Sequence, residues 1–150
     1  MAILAMEQTA YLLCALEPRL RRLVDAGARQ SPKAPRRAEV WFPAASLLGD
    51  ETIPRSWDVT SDSLAAILAR RLRAQGLLLV KSAPLDGIRC GVLELQAAGL
   101  VDGAFDRFGA DCGCPVWLLG RESSANLSRL WQGQGDAALA VEFASAQGPC

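Results

Sequence analysis

Residues 57–87, WDVTSDSLAAILARRLRAQGLLLVKSAPLDG, contain the pattern that decides the fold. Thr60 is a suitable N-cap residue, because its hydroxyl can accept a hydrogen bond from an early backbone N–H group. Asp62 falls in the first turn, where the helix macrodipole favours a carboxylate. Apolar residues recur at helical spacing and give one apolar face, namely Leu64, Ile67, Leu68 and Leu72. These features predict a helix from about Ser61 to Gln75.

The end of this helix is marked by basic residues, which suit the last backbone carbonyls: Arg70, Arg71 and Arg73. Gly76 is placed to follow the helix, since glycine readily adopts the left-handed backbone that ends many helices. The apolar run Leu77–Val80 comes next and is too short to form another helix. It predicts a strand that is buried on both faces.

Lys81 and Ser82 follow this strand, at the edge where open α/β sheets bind ligands. The chain contains only two lysines beside fourteen arginines, so a lysine at this position is notable. Its compact charge can bind ATP phosphates, because phosphoryl transfer depends on positioning and electrostatic stabilisation. The alternative interpretation is a lysine whose stem packs at a strand end while its ammonium group reaches water.

Strand patterns separated by helical patterns predict an α/β fold with an open, largely parallel sheet and helices on both faces, an αβα sandwich. The predicted helices are 2–16, 18–26, 61–75, 92–98, 102–108 and one after residue 123; the predicted strands are 38–42, 77–80, 114–119 and 137–143. No internal repeat or obvious linker divides the chain. We therefore expect one domain.

The overall composition argues against a disordered, membrane-spanning or nucleic-acid-binding protein. Hydrophobic residues make up 51% of the chain, which excludes disorder, and no apolar run approaches the ~18 residues of a membrane span. The first residues lack the basic start and cleavage site of a signal peptide, so we expect a cytoplasmic protein. Sixteen basic and sixteen acidic residues cancel, so no overall field favours nucleic acid as a partner.

Five cysteines and no histidine limit the available chemistry. The odd number and the missing secretory signal indicate free thiols. Cys112 and Cys114 form a C-x-C motif without a second pair, and a Cys/His zinc site is impossible without histidine, so no protein metal site is predicted. Ser-His-Asp and Cys-His catalysis are excluded for the same reason.

Two segments of the central stretch resemble a known family. TSDSLAA opens the predicted helix, and VKSAPLDG contains the end of the apolar strand. They resemble the second half of the amino-acid kinase superfamily, the aspartate, glutamate and uridylate kinase group, and within it the small-molecule kinases of methanofuran- and methylofuran-type cofactor pathways. MAILAMEQ at 1–8 and ELQAAGLVDGAFDRF at 94–108 are similar to that group too. The resemblance implies an ATP-dependent phosphotransferase that uses Mg²⁺ and acts on a small-molecule carboxylate or phosphate monoester.

The resemblance also implies roles for individual residues. Lys81 and Asp62 would be catalytic, with Lys81 on the ATP phosphates and Asp62 orienting the reacting groups. Thr60 and Ser61 would hold the acceptor. The nucleotide-binding residues would be Lys81, Ser82, Asp86 and Gly87. Plain helix capping explains Thr60 and Asp62 equally well, so both interpretations stay open.

The chain departs from the family pattern in three places. Ile88 stands where a tyrosine often follows the glycine, which leaves adenine recognition open. Near Asp102, where related kinases carry a lysine, this chain has Gly103 and then Arg107, whose geometry differs from that of lysine. The predicted helix 2–16 starts without a capping residue. In the kinases that the chain resembles, we expect this helix to follow Gly-rich phosphate-binding loops, which this sequence does not supply.

We therefore expect residues 1–142 to form a partial kinase-like domain that lacks the family's first strands and loops, with 143–150 as a frayed tail. On this interpretation the chain carries the nucleotide-binding half. A homo-oligomer or another partner would cover the sheet edge left by the missing part. The rival hypothesis is a truncated or non-catalytic remnant that serves as a nucleotide-binding or assembly partner.

Overall fold

The computed structural model describes residues 2–25, 37–85, 91–132 and 138–143. They fall into two compact units, Met1–Ser61 and Asp62–Cys150. The first unit contains α1 (Ala2–Leu16), β1 (Arg21–Leu23), β2 (Glu39–Trp41) and α2 (Ala44–Leu47). Helix α3 (Ser61–Leu72) begins at the boundary, and the second unit continues with β3 (Leu77–Val80), α4 (Val92–Ala97), α5 (Phe105–Ala110), β4 (Val116–Leu119), a 3₁₀ helix (Arg121–Asn126), α6 (Leu127–Trp131) and β5 (Leu139–Ala140).

The first unit contains a two-stranded parallel sheet, in which Arg21 pairs with Glu39 and Leu23 with Trp41. The helix predicted for 18–26 is therefore wrong. A turn after α1 redirects the chain, and pairing with β2 then satisfies the backbone groups of 21–23 as a strand. Tertiary pairing outweighs a weak local helical preference.

Aromatic contacts and one long-range cap hold the first unit together. The rings of Tyr11 and Phe42 meet edge to face, with centroids 5.0 Å apart. The guanidinium of Arg22 lies 4.2 Å from the centroid of the Phe42 ring. The Glu7 carboxylate accepts a hydrogen bond of 3.0 Å from the Ala44 N–H group, at the start of α2. These contacts tie α1 to the corner between β2 and α2.

The second unit contains a three-stranded sheet in the order β3-β4-β5. Strands β3 and β4 are parallel, with Leu77 beside Val116 and Val80 beside Leu119, whereas β5 runs antiparallel to β4. The α/β class is thus confirmed. The four predicted strands form two sheets among the described residues, not the single sheet expected, because β2 pairs with β1. The open αβα sandwich stays a prediction.

The apolar face predicted for α3 is confirmed only in part, because Leu64 is buried whereas Ile67, Leu68 and Leu72 are half-buried, and the buried alanines were not predicted. Leu64, Ala66 and Ala69 of α3 are buried, and an apolar core joins α3 residues with Leu95, Phe105 and Leu118. Strand β3 was expected to be buried throughout, but Val80 is 62% exposed. Across 2–25, 37–85, 91–132 and 138–143, no helix is long and apolar enough to span a membrane.

Helix α3 ends three residues earlier than predicted, and a residue other than glycine ends it. Arg73 adopts a left-handed backbone, with φ 49°. The N–H group of Ala74 donates to the Ala69 carbonyl at 2.9 Å, and that of Arg73 to the Arg70 carbonyl at 3.1 Å. These paired bonds form a Schellman motif with arginine at the usual glycine position.

Gly76 was predicted to end the helix, but the structure requires a glycine there because of a close contact with Trp117. A Cβ atom built on Gly76 would lie 2.5 Å from Cζ3 of the Trp117 indole. The backbone here therefore approaches the Trp117 ring on the neighbouring strand more closely than any side chain would allow.

We predict that Arg73→Gly raises the free energy of unfolding by about 1 kcal/mol, because it relieves the left-handed strain of an L-residue. Arg71→Gly, two positions earlier inside the helix, should lower it by about 1 kcal/mol. Urea unfolding of the two variants measures both effects. A loss of stability in Arg73→Gly would contradict the helix end described.

Candidate functional site

The candidate site is built on Lys81, the residue directly after β3. Its backbone N–H donates to the Leu119 carbonyl at 2.8 Å, which extends the pairing of β3 with β4. Its ammonium Nζ donates to Oδ1 of Asp62 at 2.5 Å. The Lys81 and Asp62 side chains are only 16% and 12% exposed. The two residues that sequence analysis singled out for catalysis thus form one largely buried ion pair.

The carboxylate of Asp102 holds the first turn of α3, the turn that contains Asp62. Asp102 accepts a hydrogen bond from the Ser63 N–H group at 3.0 Å through Oδ2, and one from the Ser63 hydroxyl at 2.5 Å through Oδ1. Ser63 is fully buried. Asp102 therefore satisfies an early N–H group of α3 from 39 residues away. No local sequence signal could have indicated that partner.

Gln96 fixes the backbone that carries Asp102. Its Nε2 donates to the carbonyl oxygens of Asp102 at 3.1 Å and Gly103 at 2.9 Å. Helix α4, which contains Gln96, is thereby joined to the loop before α5. The network from Gln96 through Asp102 to Ser63 sets the first turn of α3, and so the backbone that positions Asp62.

Arg121 brings a second cation to the same edge of the sheet. It begins the 3₁₀ helix one residue after Gly120, and its Nε donates to the Ser82 carbonyl at 2.9 Å. A Cβ atom on Gly120 would lie 3.1 Å from Cγ of Leu85, so the loops after β3 and β4 pack closely. Arg121 was not among the site residues predicted from the sequence. The available signal was a basic residue soon after each of two parallel strands, whose ends meet.

The other candidate residues are placed as follows. Ser61 is exposed and opens α3, and Thr60 directly precedes it. Asp86 and Gly87 lie outside the described residues. Arg107, the candidate replacement for a family lysine, lies with its guanidinium 5.0 Å from the centroid of the neighbouring Phe108 ring.

The Lys81 ammonium group is balanced by the Asp62 carboxylate and carries further N–H donors. An ammonium group carries three N–H donors, and the bond to Asp62 uses one of them. The Lys81 charge is held at a defined place because its ion pair and backbone bond fix both ends of the residue. Among the residues that the structure describes, no group of three or more His, Cys, Asp or Glu side chains could hold a metal ion.

We predict that Asp62→Asn and Lys81→Met each lower the free energy of unfolding by about 3 kcal/mol, because each leaves a largely buried charge unpaired. The double variant should recover part of that loss. Asp111→Asn is the matched control, because Asp111 forms an exposed ion pair. Its Oδ2 lies 3.5 Å from a guanidinium nitrogen of Arg70, and the Asp111 and Arg70 side chains are 61% and 67% exposed. This variant should change stability by less than about 1 kcal/mol. Equal urea midpoints for all variants would show that the buried pair contributes nothing.

Comparison with known proteins identified no relative of this chain. The chain matches no family model, no curated protein and no solved structure. The resemblance to amino-acid kinases therefore rests on the quoted motifs alone.

Proposed function

We propose that this chain is an ATP-dependent phosphotransferase of the amino-acid kinase type, acting on a small-molecule carboxylate or phosphate monoester. The single observation that supports it most is the Lys81–Asp62 ion pair at the carboxyl end of β3. Ligands of open α/β sheets bind at this edge. The proposal includes the open αβα sandwich of the related kinases, of which this chain would carry the nucleotide-binding half.

Phosphoryl transfer needs fixed positive charge more than it needs a covalent intermediate. Lys81 would contact the transferring phosphate, and Arg121 would offer a second cation near the loop that begins with Ser82. Asp62 would hold the ammonium group in place, because the 2.5 Å bond between them fixes its position. Such pre-positioned charge costs no reorganisation during the reaction.

Mg²⁺ would enter with ATP. Proteins commonly bind this ion through one or two carboxylates together with substrate phosphates, so the described residues need not supply a complete cage. Asp62 is the carboxylate beside Lys81 and fits that requirement. Mg²⁺ would neutralise charge on the phosphates, while orientation of the phosphoryl group would depend on Lys81.

A purely structural role for the pair is the competing explanation. A salt bridge that only ties α3 to β3 would be equally buried and equally short. The two explanations differ in one property, which is whether an ATP phosphate interacts with Lys81.

We predict that Lys81→Ala weakens binding of Mg-ATP roughly tenfold or more, because a hydrogen bond to a charged group contributes about 1.5 to 3 kcal/mol. Calorimetric titration of the folded variant measures the dissociation constant. Lys33→Ala removes the only other lysine and should leave the affinity unchanged. If wild type and Lys81→Ala bind Mg-ATP equally well, Lys81 is not in a phosphate site.

A second candidate function is a non-catalytic, nucleotide-binding or assembly partner. The observation that favours it is a set of exposed leucines on α1: Leu4, Leu12, Leu13 and Leu16. Leu12 and Leu16 lie one turn apart, and Leu16 is 73% exposed. Burying a leucine side chain is worth about 1.5 to 3 kcal/mol, so a partner that covers this face would gain appreciably.

We predict self-association at micromolar concentration, measured by light scattering after gel filtration. The double variant Leu12→Glu/Leu16→Glu should elute as a 16.0 kDa monomer. Leu48→Glu, at a leucine outside α1 that is 52% exposed, is the matched control and should associate like wild type. A wild-type monomer at every concentration would remove the α1 face as an assembly surface.

A further inference from the structure

Two thiols lie together in the second unit, away from Lys81. The Sγ atoms of Cys112 and Cys114 are 3.7 Å apart. The Cys112 thiol also donates to the Cys114 carbonyl at 3.2 Å. Cys112 is 4% exposed and belongs to the apolar core, whereas Cys114 is partly exposed. The pair therefore has one thiol that a small reagent can reach and one thiol behind it.

The intervening glycine makes this approach possible. Gly113 has φ 76°, a left-handed conformation that other residues rarely adopt. It turns the chain between α5 and β4 so that both cysteine side chains meet on one side. A Cβ atom at Gly113 would contact nothing within 4 Å, so backbone conformation alone explains the glycine.

The thiol pair and the candidate kinase site lie at opposite ends of the sheet. Cys114 precedes β4, and Lys81 follows β3. Because β3 and β4 are parallel and paired from Leu77–Val116 to Val80–Leu119, the start of one strand lies beside the start of the other. An inference about the thiols is therefore independent of the proposed function.

We propose that Cys112 and Cys114 form an oxidisable dithiol, which closes to an intrachain disulfide when a small-molecule disulfide such as oxidised glutathione reaches Cys114. A disulfide needs an S–S distance of about 2.05 Å, so the two sulfur atoms must approach by roughly 1.7 Å from their present separation. Rotation of the Cys112 and Cys114 side chains would provide that movement.

The reaction balances in two steps. The Cys114 thiolate attacks one sulfur of oxidised glutathione, forms a mixed disulfide and releases one glutathione thiolate. Cys112 then loses its proton, attacks the Cys114 sulfur, forms the intrachain S–S bond and releases the second glutathione thiolate. Two electrons pass from the dithiol to oxidised glutathione, and the two thiol protons end on the two reduced glutathione molecules.

The surroundings favour the second step over the first. Burial raises the pKa of the Cys114 thiol to about 11, and the neighbouring Cys112 adds to this. Thiolate is therefore scarce at neutral pH, and the first attack is slow. Once the mixed disulfide exists, Cys112 is already beside it, so closure needs no second encounter in solution.

Tryptic digestion isolates this pair for the test. Cleavage after Arg107 and Arg121 releases residues 108–121, FGADCGCPVWLLGR, which contain these two cysteines and no others. The wild-type protein is incubated with oxidised glutathione, unfolded in urea, alkylated with iodoacetamide, digested and examined by mass spectrometry. We expect a peptide that carries no alkyl group and has lost the mass of two hydrogen atoms, and dithiothreitol should restore two alkylatable thiols.

The Cys112→Ser variant is the matched control, because it removes the second thiol and should leave a glutathione adduct on Cys114. Double alkylation of the wild-type peptide would overturn the proposal. A glutathione adduct that persists on wild-type Cys114 would overturn it as well, since it would show that Cys112 does not reach the mixed disulfide.

Discussion

The ion pair between Lys81 and Asp62 is the contact on which the account of the second unit depends. It joins the first turn of α3 to the carboxyl end of β3, with 2.5 Å between Nζ and Oδ1. Both side chains are largely removed from water, so each charge depends on the other for stabilisation. A buried pair of this kind is weak support for stability as such, because desolvation offsets much of the attraction. Its value is that it fixes a cation at a sheet edge.

Contacts farther along the chain keep this pair in place. The carboxylate of Asp102 receives both the N–H group and the hydroxyl of Ser63, next to Asp62, and Gln96 holds the backbone of Asp102. These polar groups are satisfied by one another in a mostly buried setting, which makes the network rigid. Arg121 approaches the same edge from β4 through the Ser82 carbonyl. Residues from three separate segments thus converge near the end of β3.

Local sequence patterns correctly predicted the elements whose formation depends on residues close together in the chain. The spacing of apolar residues and the capping and glycine positions predicted helix α3, strand β3 and the position of Lys81. The helix and the strand lie within a few residues of the predicted bounds. Residues 21–23 were predicted as helix but form a strand, because their partner at 39–41 is remote in sequence. Asp102 was recognised only as a neighbour of a family motif. Its contact with Ser63 spans 39 residues and leaves no periodic signal.

The central claim is that Lys81 interacts with an ATP phosphate. Because the chain has only two lysines, selective ¹³Cε labelling of lysine gives two signals in an NMR spectrum, from Lys81 and Lys33, and Lys81→Ala assigns them. We expect titration with Mg-ATP to shift the Lys81 signal to a saturating value and to leave the Lys33 signal in place. A Lys81 signal that does not move through saturating Mg-ATP would contradict it.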